Sequence, residues 1–172
     1  MAQNKNIILV GPMGAGKTTI GRNLARKLSL EFYDSDHEIE QRTGADIPWI
    51  FEIEGEAGFR KRESTIIEEL TKLQNIVLAT GGGAIINQEN RQHMQQSGIV
   101  FYLNSGAEKL LKRTQTDKRR PLLQTQDRLA RIKQIIAERD PLYREIADEI
   151  IQTDKMSVSH IVKFIIKRIS RT

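Results

Sequence analysis

The sequence predicts an α/β fold in three layers, with a five-stranded parallel sheet between two layers of helices. Two observations support it. Short apolar runs, which are typical of buried strands, alternate with longer stretches in which apolar residues recur every three or four positions, as in amphipathic helices. Strands that alternate with helices are joined by right-handed crossovers into a parallel sheet, whose two faces the helices cover.

The predicted strands are short apolar runs that end at a glycine or a polar residue. They are 7–10, 31–33, 76–79, 99–103 and 149–152. The longer predicted helices are 17–29, 59–73, 88–97, 105–116, 127–139 and 157–169. A short helix is predicted between 17–29 and 59–73; Ser35 or Asp36 caps its start and Gly44 ends it. Ligands of such sheets bind at the carboxyl ends of the strands, so the residues that follow each strand are the candidates for chemistry.

Length and composition bound the remaining possibilities. The 172 residues suffice for one domain, 1–172, with a substantial core, and not for two. The net charge is +5, compatible with an ordinary mixed-charge surface or with anionic ligands, and the absence of cysteine excludes disulfides and thiol catalysis. The apolar runs are far shorter than a membrane span, and the N-terminus MAQNKN lacks the apolar core of a signal peptide, so we expect a cytoplasmic protein with no membrane partner.

A glycine-rich motif follows the first predicted strand and precedes the first predicted helix. Residues 11–18, GPMGAGKT, match G-x-x-x-x-G-K-[ST] in full. In this motif backbone N–H groups surround phosphate oxygens, the lysine neutralises the β- and γ-phosphates, and the hydroxyl binds Mg²⁺. The sequence therefore predicts a P-loop NTPase fold that holds the phosphates of Mg-ATP. The predicted ATP-binding residues here are Gly14, Ala15, Gly16, Lys17, Thr18 and Thr19.

A P-loop by itself does not name the reaction, because ATPases, GTPases and kinases share it. No guanine-reading N-K-x-D motif follows a late strand, and the third strand ends in TGGG where motor-type ATPases usually carry an acidic residue. The nearest carboxylates at a strand end are Asp34 and Asp36, after the second strand.

Six segments in order resemble the shikimate kinase family, in the nucleoside-monophosphate-kinase-like group of P-loop proteins. They are GPMGAGKTTIGRNLA at 11–25, FYDSD at 32–36, FEIEGEAGFR at 51–60, ATGGG at 79–83, RRPLL at 119–123 and ERDPLYREIAD at 138–148. The resemblance spans nearly the whole chain. It implies a lid that closes over ATP and transfer of the γ-phosphoryl group to the 3-hydroxyl of shikimate, in the route to chorismate and the aromatic amino acids.

The resemblance also implies an acceptor site, with a substrate-binding segment at about 34–62. Arg60 and Arg139 match the family's carboxylate-binding arginines, and a planar guanidinium pairs with a carboxylate through two hydrogen bonds. Taken alone, either arginine is more simply interpreted as an ordinary surface charge. Glu63, one helical turn after Arg60, is placed to hold it. Trp49, Phe51 and Phe59 are expected to form the packing core of this segment, with Phe51 and Phe59 walling the pocket.

Acidic and glycine residues complete the implied acceptor site. Asp36 matches the aspartate that orients the attacking hydroxyl and accepts its proton. Asp34 matches the residue that, with Thr18, holds Mg²⁺, although an Asp-Ser-Asp sequence before a helix is also typical of a capping turn. The glycine loop beside the substrate, where N–H groups can donate to a ligand oxygen, is Gly81, Gly82 and Gly83.

The basic stretch within about 114–126 resembles the lid. Arg120 matches the arginine that reaches the transferring phosphate, and the adjacent Arg119 could share that task. Arg113 matches the arginine that stacks on adenine. A solvated basic run is the alternative interpretation. Residues 153–156 do not form a distinctive adenine-binding sequence.

These patterns together favour an ATP-dependent shikimate 3-kinase that is a monomer, uses Mg²⁺ and binds no nucleic acid. Its expected catalytic residues are Lys17, Asp36 and Arg120. A kinase for another small acceptor, such as gluconate or a nucleotide, is the near alternative. An ATP-binding regulatory or nucleic-acid-binding module is the alternative from a different class.

Overall fold

A computed structural model describes residues 5–172 and shows one sheet of five parallel strands in the order β2-β3-β1-β4-β5. The strands are β1 (Asn6–Val10), β2 (Glu31–Asp34), β3 (Ile76–Ala79), β4 (Gly98–Asn104) and β5 (Glu149–Gln152). Each predicted strand is confirmed to within one residue at either end. The expectation about a signal peptide concerns in part residues 1–4, which lie outside the described residues.

Seven α-helices cover the sheet over the described residues. They are α1 (Lys17–Leu28), α2 (Ser35–Thr43), α3 (Ile47–Thr71), α4 (Gln88–Ser97), α5 (Ala107–Thr114), α6 (Arg128–Ile146) and α7 (Val158–Ile169), and short 3-10 helices lie at Ala84–Ile86 and Pro121–Leu123. Ile7 and Leu9 of β1 pack with α1, α5 and α7, while Ile8 and Val10 pack with α2, α3 and α4 on the other face. The predicted three layers are therefore confirmed. Over residues 5–172, no helix combines the length and the apolar character that crossing a membrane would require.

The strand register brings three chain segments together at one edge of the sheet. Ala79 at the end of β3 lies opposite Asp34 of β2 on one side and opposite Leu9 of β1 on the other. The carboxyl ends of β2, β3 and β1 are therefore level. The segments that follow them carry the Asp-Ser-Asp sequence, the glycine loop and the P-loop, so these motifs meet although they are far apart in the chain.

The start of α2 differs from the sequence prediction. Asp34 is the N-cap, and its side chain accepts hydrogen bonds from the backbone N–H groups of Asp36 and His37, at 3.0 and 3.2 Å. The predicted cap at Ser35 or Asp36 is wrong, because both residues already have helical geometry. The predicted end at Gly44 is confirmed, with φ 69° at that glycine.

Two helices are longer than the apolar pattern indicates. Helix α3 begins at Ile47 rather than 59, because Asp46 caps an additional helical segment before Gly55 interrupts the helix with φ 71° and ψ 178°. Helix α6 continues through Pro141 to Ile146, because its last turns are held by buried side chains. Trp49 is 55% exposed, so the expectation that it belongs to a packing core is wrong, whereas Phe59 is buried and packs against Phe51, with the ring centroids 4.9 Å apart and the ring planes tilted by 40°.

Candidate active site

The P-loop connects the central strand β1 to the N-terminus of α1. Gly14 and Gly16 have φ of 81° and 95°, which side chains with a Cβ rarely adopt, so the glycines permit the tight turn. Lys17 Nζ donates to the carbonyl oxygens of Gly11 and Pro12, at 2.7 and 2.8 Å. Burial, with a further contribution from the nearby Arg120, lowers the pKa of Lys17 to about 7. An anion placed in the loop would favour the charged form of this lysine.

Thr18 and Asp34 lie side by side at the edge of the P-loop. The Thr18 hydroxyl donates to Asp34 Oδ2 at 2.6 Å, while Asp34 Oδ1 caps α2. The two interpretations of Asp34, as a capping residue and as a residue beside the phosphates, are therefore compatible. Mg²⁺ in phosphoryl-transfer sites is held by one or two protein oxygens together with phosphate oxygens, and this hydroxyl–carboxylate pair fits that requirement.

A cavity of about 370 Å³ opens above the P-loop. Its walls include Lys17, Thr18, Asp34, Asp36, Gly81 and Gly82, with Asp117, Arg119 and Arg120 opposite them. A second, smaller hollow adjoins it and is lined by Arg60, Glu63, Arg139, the glycine loop, Phe51 and Phe59. Asp36 and Arg120 line both spaces, so they lie where a phosphate donor and an acceptor would meet.

Asp36 is the carboxylate at this junction. Its Oδ1 atom is buried and finds no hydrogen-bond partner within residues 5–172. Burial, together with the negative charge of Asp34, raises the pKa of Asp36 to about 6. At neutral pH it is therefore largely ionised and able to accept a proton from a hydroxyl group placed in the hollow.

Arg60 is held on one side of the second hollow. Its Nη1 atom donates to Glu63 Oε1 at 2.8 Å, and its guanidinium lies 5.2 Å from the centre of the Phe59 ring. The predicted contact between Arg60 and Glu63 is present. Glu63 is 1% exposed, and burial raises its pKa to about 7 although Arg60 opposes that shift.

Arg139 lies on the other side, on the inward face of α6. It is only 5% exposed, burial lowers its pKa, and its Nη1 atom is buried without a hydrogen-bond partner in the part of the chain that is described. A buried guanidinium with an unused donor is costly in the free protein, and an anion in the hollow would relieve that cost.

The glycine loop separates the two arginines, and its lack of side chains makes room for the charged groups. A Cβ atom on Gly83 would overlap the Arg60 guanidinium, and one on Gly81 would lie 2.5 Å from Asp36 Oδ1. The Gly81 N–H donates to Ser35 Oγ at 2.9 Å. This N–H is therefore used within the protein, so Gly81 does not offer its backbone donor to a ligand as the sequence suggested.

The segment predicted to be the lid, about 114–126, holds its arginines through a single carboxylate. Asp117 Oδ1 accepts from the Arg119 backbone N–H at 2.8 Å, and Asp117 Oδ2 accepts from Arg120 Nε at 3.0 Å. The Arg119 side chain is 77% exposed and that of Arg120 is 34% exposed, so Arg120 is the more enclosed of the two. Arg113 Nη1 donates to the Gly14 carbonyl at 3.0 Å, which places its guanidinium against the P-loop.

Comparison with known proteins identifies the family of this chain. The profile of the family described as shikimate kinase matches residues 13–170. This chain belongs to the shikimate kinase family. Shikimate kinases from Mannheimia succiniciproducens and Shewanella denitrificans are 57% and 54% identical to it, over 96% and 98% of this chain and 97% and 99% of their own lengths. A solved structure, "Shikimate kinase from Acinetobacter baumannii in complex with shikimate", is 51% identical and superposes with a TM-score of 0.96 over 99% of this chain and 95% of that one.

In this member of the shikimate kinase family, the residues singled out in the sequence line two adjoining spaces, with the exception of Ala15 and Arg113. Ala15 is a buried residue of the P-loop and does not line the cavity, whereas Thr19 does. Sequence reasoning missed Ser35, which fixes the glycine loop, and Tyr143, whose hydroxyl donates to the Gly82 carbonyl at 2.5 Å. The signal for Tyr143 was its position one helical turn after Arg139, on the same face of α6.

Proposed function

We propose that this protein is an ATP-dependent shikimate 3-kinase, which converts shikimate and ATP to shikimate 3-phosphate and ADP. The observation that carries the proposal is the position of Asp36, which lines both the P-loop cavity and the hollow that contains Arg60 and Arg139. A small hydroxylated acid would place its hydroxyl toward Asp36 and its carboxylate toward the two arginines.

The two arginines favour an acceptor that carries a carboxylate group. Each guanidinium is a planar donor that can bind a carboxylate through two hydrogen bonds, and Arg139 has an unused buried donor. Phe51 and Phe59 form an apolar wall of the same hollow, which suits one face of a carbon ring. A ring with a carboxylate at one end and hydroxyl groups at the other satisfies these surroundings.

In the proposed reaction the hydroxyl oxygen of the acceptor forms a bond to the γ-phosphorus, and the bond from that phosphorus to the β–γ bridging oxygen breaks. Asp36 accepts the proton of the hydroxyl, and ADP leaves with the bridging oxygen. Because the transition state of phosphoryl transfer is loose, correct placement by Asp36 matters more than its basicity. Lys17 and Arg120 stabilise the negative charge that develops on the phosphate oxygens.

The proposed ATP site consists of P-loop residues 14–19 with Arg113 and Arg120. Arg113 already lies against the loop through Gly14, and we propose that it packs on the adenine of ATP. Thr18 and Asp34 are the residues that would hold Mg²⁺, which, when bound, neutralises the charge of the β- and γ-phosphates. Since one chain supplies every residue assigned to the site, we propose that the protein acts as a monomer, with no nucleic-acid partner, in the cytoplasm.

Acceptor-dependent release of ADP tests the proposal. The purified protein would be assayed with ATP and, in parallel, with shikimate, gluconate and nucleoside monophosphates, and phosphorus NMR would locate the phosphate on the product. We expect turnover with shikimate and a phosphate on the 3-oxygen. Turnover of gluconate but not shikimate, or ADP release that no acceptor stimulates, would contradict the proposal.

A further inference from the structure

The start of the predicted lid is bonded to the start of α6 by an arginine without an assigned role. Arg128 Nη1 donates to the Gln115 carbonyl at 3.1 Å, and Arg128 Nη2 donates to the Thr114 carbonyl. These carbonyls lie at the C-terminus of α5, where the last C=O groups of a helix lack partners within the helix. The Arg128 Nε atom is buried, so the guanidinium is enclosed. Arg128 therefore caps α5 from a different helix.

The Thr114 carbonyl that Arg128 holds is also bonded to the residue that holds the arginines of the lid. The Asp117 backbone N–H donates to the Thr114 oxygen at 3.1 Å. The Asp117 side chain in turn accepts from Arg120 Nε at 3.0 Å. Three consecutive hydrogen bonds therefore connect Arg128 to Arg120, through Thr114 and Asp117.

Thr114 also lies against the P-loop. It is 2% exposed, and a Cβ atom on Gly14 would come within 2.9 Å of its methyl group. The neighbouring Arg113 donates to the Gly14 carbonyl at 3.0 Å. The residue at which the lid begins is therefore fixed relative to the loop that would hold the phosphates, so the direction in which the chain leaves Thr114 determines where Arg120 lies.

We propose that Arg128 is a positioning residue that directs Arg120 toward the transferring phosphate by fixing the turn at Thr114. An arginine side chain such as that of Arg120 has several rotatable bonds, whereas stabilising a transition state requires a donor at a defined position. A planar guanidinium that donates to two successive carbonyls fixes their relative orientation, which the point charge of a lysine does not. This inference rests on the proposed function, since it concerns the arginine assigned to the phosphate.

The chain offers a matched control in Arg131, which lies one helical turn after Arg128 on α6. Arg131 Nε donates to the Leu122 carbonyl at 3.3 Å, near the opposite end of the lid. The adjacent Leu123 is completely buried in the core, so this end is anchored without the arginine. Arg131→Met therefore removes a similar contact between α6 and the lid, but not the one that leads to Arg120.

The experiment is a double-mutant cycle on kcat, measured with saturating ATP and shikimate. Arg128→Met keeps an apolar stem and removes the guanidinium, and it should lower kcat about tenfold, because a displaced catalytic group loses much of its effect. In the Arg120→Ala background the same change should lower kcat by less than about twofold, because the group that Arg128 positions is absent. Arg131→Met should lower kcat by less than about twofold in either background.

Calorimetric titration with shikimate in the absence of nucleotide gives the concentration of folded sites, to which each kcat is referred. It also reports on Arg139, about three turns after Arg128 on α6, so an unchanged affinity shows that the helix has kept its place. Arg128→Lys keeps the charge but donates from a single nitrogen, and it should lower kcat about threefold. If Arg128→Met does not fold, the same cycle with Arg128→Lys decides.

Three results would overturn the inference. The first is a fall in kcat that is equal with and without Arg120, because it indicates a general packing effect. The second is an equal fall in Arg128→Met and Arg131→Met, and the third is weaker shikimate binding in Arg128→Met, which would mean that α6 itself has moved. An unchanged kcat in Arg128→Met refutes the role directly.

Failure of the proposed function has a different signature. If the wild-type protein phosphorylates another acceptor and not shikimate, the proposed function is wrong, and the same cycle with that acceptor still tests Arg128. If no acceptor stimulates the release of ADP, both the function and this inference fail.

Discussion

The acceptor hollow and the lid both present arginines to the same space, but they hold them differently. In the hollow, Arg139 is 5% exposed and Arg60 is paired with a carboxylate that is 1% exposed. In the lid, Arg119 and Arg120 depend on Asp117, which is partly open to solvent. Exposed ion pairs contribute about 0–1 kcal/mol, whereas disrupting a buried pair costs about 3–5 kcal/mol. The hollow is thus formed before the substrate binds, whereas we expect the predicted lid to rearrange at little cost.

The largest loss of activity should come from replacing Asp36, the carboxylate at which the acceptor hollow and the lid meet. Asp36→Asn should lower kcat by roughly a thousandfold, since positioned acid–base groups contribute about 10²–10⁴-fold. ATP affinity, measured by titration calorimetry, should change little because the P-loop residues assigned to the phosphates are unchanged. Glu40→Gln is the control, since Glu40 lines the same cavity from α2 and has no assigned role. Loss of ATP binding in Asp36→Asn would mean that the residue is structural.

The next largest loss of activity is expected from replacing an arginine of the lid. Arg120→Ala should lower kcat by about a hundredfold, the size of effect found when one donor to a transition-state oxyanion is removed. Arg119→Ala should have a much smaller effect, because its side chain is 77% exposed. Steady-state kinetics of the two variants decides between the neighbouring arginines. Equal losses would show that they share the task, and a larger loss in Arg119→Ala would reverse their roles.

A smaller effect, on KM for shikimate, is expected from a substitution in the glycine loop. Gly83 has φ −93°, so Ala is conformationally acceptable there, but its Cβ would overlap the Arg60 guanidinium. Gly83→Ala should therefore displace Arg60 and raise KM for shikimate about tenfold, with KM for ATP nearly unchanged. If KM for ATP rose to the same extent, the loop would serve the whole site rather than the acceptor hollow.

The two regions should also differ in their response to pH. Burial first and Asp34 second raise the pKa of Asp36 to about 6, so this group binds a proton as the pH falls through 6 and can no longer accept one from the hydroxyl. In the lid, partial burial tends to raise the pKa of Asp117, but hydrogen bonds from Arg119 and Arg120 outweigh it and lower the pKa. We expect kcat/KM for shikimate to fall by about half near pH 6 and about tenfold near pH 5. ATP affinity should not fall over the same range, because Lys17, whose pKa burial lowers to about 7, becomes more fully charged. A flat acid limb would exclude Asp36 as the proton acceptor.

The P-loop could be predicted because its residues are contiguous and its role depends on local backbone geometry. The strands could be predicted for a similar reason, since each is a short apolar run. The acceptor hollow could not be derived from local pattern, because Ser35 and Gly81 meet only through the pairing of β2 with β3, 46 positions apart in the chain. Its arginines were identified through a family resemblance.

Other features escaped prediction because tertiary contacts override local signals. The first segment of α3 was missed since Gly55 and Gly58 weaken the helical pattern, although Asp46 caps that segment. Trp49 was expected inside and lies outside, because the inward face of the segment is formed by its neighbours. Tyr143 was given no role from the sequence, because only the tertiary structure brings its hydroxyl to the Gly82 carbonyl.

Buried residues at both ends of the predicted lid limit how far this segment can move. Thr114 at its start is 2% exposed and bonded to Leu110, and Leu123 near its end is completely buried in the core beneath the P-loop. Withdrawing a side chain such as Leu123 into water costs about 1.5–3 kcal/mol, so we expect both ends of the segment to stay in place when the residues between them move. We therefore expect the eight residues 115–122 to move as a segment of fixed span, which would let Arg120 approach the phosphates of ATP and withdraw again without unpacking the core.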